Sequence, residues 1–520
     1  MNPSTGQLAF IFIAALLLAC AAAWLVAWRY RSAMRRLMLA PVAGVAAGAA
    51  AAASSAHAPP PTAVSLADNR RAALRLTLLL TALSCLIAAS GAYLWLWLSF
   101  PDQPFAPKRA AVLALMQLWP LVPALGLLWR WSLLRLLGAL ALFCVLCFAV
   151  MLWRSIEPRP LELVLGLAVE IGPALAMVAL VFIGSATRAV APWLLPVFVG
   201  LVWASMIGLD LLAMLIERRS PVVLWLVSWA APAVGMALFA LLPWALAWWP
   251  LQRLGRALAQ AYVRKQLSEL LVMFTSVWAL ALLVQAITVA SSAGIHGIAL
   301  LLPLLWIPLV ITLGARLRAP STHPPTLLVL RVFQHDAQVQ RLFDHVVERW
   351  RLSGNTVLIA GTDLADRTLD ADDIFTFLDG RLATRFISRP AELAPRLAAF
   401  DLAPDADGRF RVNECYCVDA TWQDALHALV DRSDVVLMDL RGFQAHNAGC
   451  RYELDTLARS ARALRVVVLV DAKTDRAAAA ESVLGAAPER FSWIDAGQID
   501  ARRRGEVLAA LFASGGAPHP

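Results

Sequence analysis

The side chains best suited to chemistry in the C-terminal part of the chain lie around the loop RGFQAHNAG and the helix that follows it. Glu453, in the first turns of that helix, is the candidate catalytic carboxylate. Arg441 could pair with a phosphate, and Phe443 and Trp422 could stack on a base. Each also has a structural interpretation, since the helix macrodipole favours glutamate in a first turn and aromatic rings often pack in cores.

Further candidate loops follow the other predicted strands. They are QHD at 334–336, GTDLADR at 361–367, DATW at 419–422 and AKTD at 472–475. Open parallel sheets bind ligands outside the carboxyl ends of their strands, so Asp363 is a candidate ligand-binding residue. No GxGxxG, GxxxxGK[ST] or GxSxG signature is present, which argues against conventional dinucleotide oxidoreductases, P-loop NTPases and serine hydrolases.

A metal site has one candidate pattern. Cys415 and Cys417 are two apart on a predicted strand, so they face the same side and could combine with Cys450, His427 or His446. Structural zinc usually uses CxxC-type turns, so buried small side chains are the better account. We predict no metal site and no required cofactor.

Short apolar runs that alternate with amphipathic stretches predict the elements that carry these loops. Strands are expected at 326–333, 355–361, 409–418, 433–440, 464–471 and 490–495. Helices are expected between them and from residue 501 onward. This βαβ pattern predicts a Rossmann-like α/β domain with five or six mostly parallel strands, covered by helices on both faces.

The preceding part of the chain has the composition of a membrane protein. The whole sequence is 60% hydrophobic and only 16% charged, whereas soluble domains are about half apolar and a quarter charged. A membrane span needs roughly 20 apolar residues. Nine segments qualify: 7–28, 76–99, 110–129, 136–153, 161–184, 190–216, 222–248, 269–290 and 297–315. We therefore predict an all-α membrane bundle of about nine transmembrane helices in front of the α/β domain.

The distribution of basic residues predicts the orientation of this bundle. The first span ends in WRYRSAMRR and lacks a small-residue cleavage site, so it is interpreted as an anchor with a cytoplasmic C-terminal end. Alternation over nine spans then places the N-terminus outside and the α/β domain in the cytoplasm, at an inner (plasma) membrane. The net charge of +9 is explained by contacts with lipid headgroups, and no nucleic-acid partner is expected.

The domain boundaries follow from these segments. We predict a first span with its basic flank at 1–36, a disordered Ala/Pro-rich linker at 37–70, eight spans within 71–318, a linker at 319–325, the α/β domain at 326–514 and a disordered tail at 515–520. A tenth span in the Ala-rich residues 41–53 is the competing interpretation, but that stretch is too short to cross a bilayer.

Two acidic residues fall within predicted spans. Glu170 and Asp210 are candidate intramembrane functional groups, because ionisable side chains are costly in lipid. Both could instead hydrogen-bond a neighbouring helix. A transporter or channel with a cytoplasmic regulatory domain is the alternative function that they support.

The segment SDVVLMDLRGFQAHNAGCRYELDTLA, with Cys450 three residues before Glu453, resembles the third strand and following helix of TIR (Toll/interleukin-1 receptor) domains. VFQHDAQVQRLFDHVVERWRLSGNTVLIA resembles that family's first strand, helix and second strand. The same strand, loop and glutamate also resemble nucleoside deoxyribosyltransferase-like folds.

The TIR resemblance implies a signalling or defence domain that binds a nucleotide or protein partner and could form homo-oligomers. It also implies that Glu453 corresponds to the glutamate that acts on the ribose of NAD in the enzymatic members, with NAD as a possible substrate. GTDLADRTLDADD would take the place of the long loop after the second strand.

Overall fold

A computed structural model describes most of the 520 residues. The described ranges are 5–38, 64–154, 185–221, 223, 225, 232–316, 323–331, 341–360, 371–418, 420–460, 465–486 and 488–513. Within it the chain divides into two compact units. The helical unit contains Met1–Trp28, Thr77–Leu313 and Leu369–Ile374, and the α/β unit contains Arg29–Leu76, Gly314–Thr368 and Phe375–Pro520.

Long apolar stretches form the helices of the first part of the chain. These helices are α1 (Thr5–Met38), α2 (Leu66–Ser99), α3 (Pro107–Met116), α4 (Leu121–Leu128), α5 (Leu133–Arg154), α6 (Ser185–Glu217), α7 (Pro232–Val263), α8 (Glu269–Ala293), a 3-10 helix (Gly294–Leu305) and α9 (Trp306–Arg316). Among the described residues, seven helices are long and apolar enough to cross a membrane, or eight if α3 and α4, bent by 42°, form one span.

The predicted count of nine spans is not decided by these helices. The fifth predicted span, 161–184, and with it Glu170, lies outside the described residues. Eight spans in the described part and one in 155–184 would together make nine, which therefore stays a prediction.

The start of α2 lies within the segment 37–70 that was predicted to be a linker. Ser65 and Asp68 form a capping box there, in which the Asp68 N–H donates to Ser65 Oγ and the Ser65 N–H donates to Asp68 Oδ2, each at 3.2 Å. The helix therefore begins at Leu66, before the basic pair Arg70 and Arg71. Residues 39–63 lie outside the described part of the chain.

The polar ends of α1 and α2 belong to the α/β unit. Asn69 is 2% exposed, and its Nδ2 donates to Arg349 O at 2.6 Å and to Ser353 Oγ at 2.7 Å. The buried ring of Tyr30 packs edge-on against Phe377 at a centroid distance of 5.8 Å. Both contacts join residues of Arg29–Leu76 to residues of the predicted domain 326–514. The α/β unit is therefore larger than that predicted domain.

The Asn69 contacts give a first testable prediction. Asn69→Ala removes both hydrogen bonds of this buried side chain, so local stability should fall by about 1–3 kcal/mol. Hydrogen exchange of the full chain should become faster at residues 349–355. Arg70→Ala is the matched control, since that side chain is exposed on the next position of the same helix. Equal exchange in both variants would contradict the proposed role of Asn69.

The α/β unit is built on a seven-stranded sheet. Its strands are β1 (Thr326–Arg331), β2 (Asn355–Ala360), β3 (Phe386–Ile387), β4 (Val412–Cys417), β5 (Val435–Asp439), β6 (Arg465–Val470) and β7 (Phe491–Asp495). Their spatial order is β3-β4-β2-β1-β5-β6-β7, and all neighbouring pairs are parallel. A mostly parallel C-terminal sheet is thus confirmed, with the two-residue β3 in addition to the six strands predicted.

Helices and short helical turns connect the strands. They are a π-helical turn (Phe343–Val347), α10 (Glu348–Trp350), α11 (Ala371–Leu378), 3-10 turns at Leu382–Arg385, Pro390–Glu392 and Pro488–Arg490, α12 (Leu393–Ala398), α13 (Trp422–Val430), α14 (Ala448–Arg459), α15 (Arg476–Ser482) and α16 (Ala501–Phe512). All five residues of β5 are buried, as expected for a strand with both faces covered. One hydrophobic core joins β1, β4, β5 and β6 to α13 and α14.

The fourth strand starts later than its sequence pattern predicts. The predicted strand includes Arg409 and Arg411, but β4 begins at Val412. Arg409 Nε bonds Asp407 Oδ2 and Arg411 Nε bonds Asp405 Oδ1, each at 2.9 Å, and all four residues are buried. The turn PDADG is therefore part of a buried charge cluster.

Candidate functional site

The sheet order places a topological switch point between β1 and β5. From β1 the chain continues to β2 on one side, and β5 lies on the other side of β1. In such sheets ligands bind at the carboxyl ends of the strands beside the switch. At that edge Arg331 of β1 is in register with Asp439 of β5. Residues 332–340, which follow β1, lie outside the described part of the chain.

Asp439 and Arg441 form a buried ion pair at this edge. Asp439 Oδ1 accepts from Arg441 Nε at 2.7 Å, and Oδ2 accepts from the terminal nitrogen at 2.6 Å. The two side chains are 5% and 6% exposed. Arg441 also reaches the carbonyl oxygen of Ala496 at 3.5 Å. Arg441, which was expected to bind a phosphate, therefore serves as a structural partner of Asp439 in this conformation.

The loop after β5 is fixed to the loop after β6. Asp471 Oδ1 accepts from the N–H of Gly442 at 2.9 Å, and Gly442 has the positive φ of 74° that glycine tolerates. Thr474 Oγ1 donates to Leu440 O at 2.9 Å, and Gln444 Nε2 donates to Lys473 O at 2.7 Å. These bonds hold the loop 440–447 in one geometry at the start of α14.

Glu453 lies on the buried face of α14. Its neighbours on that face, Cys450, Leu454 and Leu457, belong to the hydrophobic core. Glu453 is 7% exposed, and its Oε2 is buried with no hydrogen-bond partner among the described residues. Burial raises the pKa of its carboxyl from 4.5 to about 8. The pKa of the Cys450 thiol rises to about 12 through burial and the nearby Glu453 charge.

A buried, unpartnered carboxyl is costly unless it stays neutral or meets a ligand. At neutral pH most Glu453 side chains hold their proton, so the group can donate a hydrogen bond or transfer a proton. Among titratable groups, those with strongly shifted pKa values that also lie at a strand-end cleft are the best candidates for function. Among the sequence-predicted residues in the described part of the chain, Glu453 has a strongly raised pKa, and it lies on the helix that follows β5.

The two aromatic candidates have different surroundings. Phe443 is completely buried in the core, so neither face of its ring is open to a base, and the expected stacking role does not fit this conformation. Trp422 is partly buried and packs edge-on against Tyr452 of α14 at 5.4 Å. Tyr452 also bonds His427 Nε2 at 2.9 Å. Trp422 thus contacts the helix that carries Glu453.

Two other predicted residues, Asp363 and Glu170, lie outside the described part of the chain. Asp210 is half-buried in α6 of the helical unit. In the described part of the chain, no group of three or more His, Cys, Asp or Glu side chains could hold a metal ion.

The helical unit contains a polar contact that sequence reasoning missed. Gln117 lies at the break between α3 and α4, and its Nε2 donates to Gln285 Oε1 of α8 at 2.9 Å. The two are 5% and 8% exposed. Gln117 Oε1 lies 2.8 Å from the position that a Cβ would take at Gly91 of α2, so glycine makes room for it. The sequence signal that could have predicted this contact is a glutamine within an apolar run, close to Pro120.

Comparisons with known proteins found no matching family model, no matching curated protein and no matching solved structure.

Proposed function

We propose that this chain is a multi-pass membrane protein whose cytoplasmic α/β domain binds a nucleotide or protein partner in signalling or defence. The observation that carries the proposal is Glu453, a buried carboxyl without a hydrogen-bond partner among the described residues, on the helix that follows β5. The strands β2-β1-β5-β6-β7 follow the doubly wound order 2-1-3-4-5, which supports a Rossmann-like assignment compatible with a TIR-like domain.

The proposed orientation has the N-terminus outside and the α/β domain in the cytoplasm of an inner membrane. Tyr30, beyond the apolar part of α1, packs on Phe377, which supports placing the basic end of α1 on the same side as that domain. Leu282 of α8 lies beside Gly91 of α2, and later residues of both helices share one cluster. The two helices then run in the same direction, as the second and eighth of nine alternating spans must.

Hydrolysis of NAD is the most sharply testable form of this proposal. A protonated Glu453 could meet the ribose of NAD, and once ionised it could stabilise an oxocarbenium-like centre as nicotinamide leaves. The ligand would be a substrate and not a resident cofactor. The bilayer, a nucleotide and a second copy of the chain are the proposed partners.

The test uses the full chain purified in detergent micelles and incubated with NAD. Glu453→Gln keeps the shape of the side chain but cannot ionise, so nicotinamide release should fall at least roughly 10²-fold. Asp455→Asn, two residues further along α14, is the control and should keep the native rate. If the native chain releases no nicotinamide, the proposed NAD hydrolysis is wrong. If NAD also fails to raise the melting temperature of the native chain, the proposed binding of NAD is wrong too.

A transporter or channel regulated by the α/β domain is the second candidate. The observation that favours it is the Gln117–Gln285 contact at a helix break, because broken helices with buried polar groups occur at transport sites. Asp210 and Glu170 would be pathway groups. If vesicles that contain the chain show no ion leak above empty vesicles, or the same leak with Asp210→Asn and Glu170→Gln, this candidate loses its support.

A further inference from the structure

The thiols of Cys415 and Cys417 face each other on β4. The residues are two apart on the strand, so both side chains project from the same face of the sheet. Their Sγ atoms are 3.6 Å apart. A tetrahedral metal centre with bonds of about 2.3 Å requires two thiolate sulfurs about 3.8 Å apart. The pair therefore needs to move by only a few tenths of an ångström to hold such a centre.

The surroundings of the two thiols favour a soft ion. Cys415 is fully buried in the hydrophobic core, whereas Cys417 is half-buried and accessible from outside. Ile387 of β3 is in register with Cys417, and Ile359 of β2 with Cys415, so apolar side chains flank the pair in the sheet. Thiolates in apolar surroundings select thiophilic ions over magnesium and calcium, which prefer oxygen ligands.

We propose that Cys415 and Cys417 form a two-thiolate binding site for a soft, thiophilic metal ion. In the described part of the chain no group of three or more His, Cys, Asp or Glu side chains could hold a metal ion, so water or a small thiol would have to fill the other coordination positions. Such an open site suits an exchangeable ion, whereas structural zinc has four protein ligands. This site is independent of Glu453 and of any activity there.

Binding exchanges protons for the ion. Two S–H bonds break, two metal–sulfur bonds form, and two protons leave for each divalent ion bound. The ion must displace these protons, so the apparent affinity should increase with pH.

The test is a Cd²⁺ titration of the full chain in detergent, with the other cysteines replaced. Alanine replaces Cys450, and serine replaces Cys20, Cys85, Cys144 and Cys147. Cys144 and Cys147 in particular are three apart on α5 and could bind a thiophilic ion themselves. We expect one Cd²⁺ per chain, thiolate-to-metal absorption and release of two protons. Adding Cys415→Ser or Cys417→Ser should weaken binding at least roughly 10²-fold, because each removes the chelate effect. Binding that neither substitution weakens, or no binding at all, would overturn the proposal.

A second measurement uses the unsubstituted chain, in case the cysteine-depleted background does not fold. Phenylarsine oxide loses its oxygen as water when two thiols replace it, which forms two As–S bonds without any oxidation. Peptide mapping should place the adduct on the peptide that contains both Cys415 and Cys417. It should survive excess monothiol and be released by a dithiol. An adduct that a monothiol removes would mean that the two sulfurs are core packing only.

Discussion

Arg441→Met should lower the free energy of local unfolding of β5 by about 3–5 kcal/mol. The substitution leaves the carboxylate of Asp439 buried without the two short bonds that it now accepts from the guanidinium. Such an unpaired charge in the interior costs far more than the net value of the pair itself. Native-state hydrogen exchange of the amides of Val435–Asp439, measured on the full chain, reports this free energy.

A double-mutant cycle gives the control for this prediction. Asp439→Leu alone should be similarly costly, because it removes the carboxylate that balances the buried charge of Arg441. Asp439→Leu combined with Arg441→Met removes both charges and should be much less destabilising than the sum of the single variants. Additive losses, or single-variant losses below about 1 kcal/mol, would show that the pair does not stabilise this edge of the sheet.

This ion pair shows why the sequence predicted the sheet better than the site. The run SDVVLMDL predicts β5 within two residues of its observed ends, because a continuous apolar stretch between turn residues has few other solutions. Arg441 follows that run in a loop, and its residue type suggested that it binds a phosphate. Its actual partner depends on χ angles and burial that spacing does not encode.

Local polar contacts account for the other differences. The capping box at Ser65 was readable from the pattern S-x-x-D, but the Ala/Pro-rich stretch before it favoured a linker. Arg409 and Arg411 alternate with apolar residues as in a strand, yet their charges pair with Asp407 and Asp405 in a turn. The loop contacts of Asp471 and Thr474 join segments about 30 residues apart, which no local pattern predicts.

Glu453 was identified from a motif, but its protonation state required the fold. The sequence allowed an exposed glutamate in the first turns of a helix, where the macrodipole would favour the charged form. The helix α14 instead turns this side chain toward the core, and burial favours the neutral form. Any function of the Glu453 carboxyl therefore depends on the same burial that makes the stability of the α/β unit sensitive to its protonation.

The stability of the α/β unit should fall with rising pH because of Glu453, and Glu453→Gln should prevent that fall. Burial raises the pKa of the carboxyl from 4.5 to about 8, so the folded state binds the proton more tightly than the unfolded state. The resulting stabilisation is fully present below an unfolded-state pKa of about 4.5 and is lost as the pH rises through about 8. The shift corresponds to roughly 3–5 kcal/mol between these limits.

Glutamine has the same shape and remains neutral, so Glu453→Gln should match the native chain at about pH 5 and exceed its stability by roughly 3–5 kcal/mol at about pH 9. Hydrogen exchange of the β6 amides, referred to the intrinsic exchange rate at each pH, measures the difference. Glu489→Gln is the control, because that side chain is exposed and its substitution should have the same effect at both pH values. A stability difference for Glu453→Gln that does not change with pH would mean that the carboxyl is ionised in the folded protein, with a partner or solvent access that stabilises its charge.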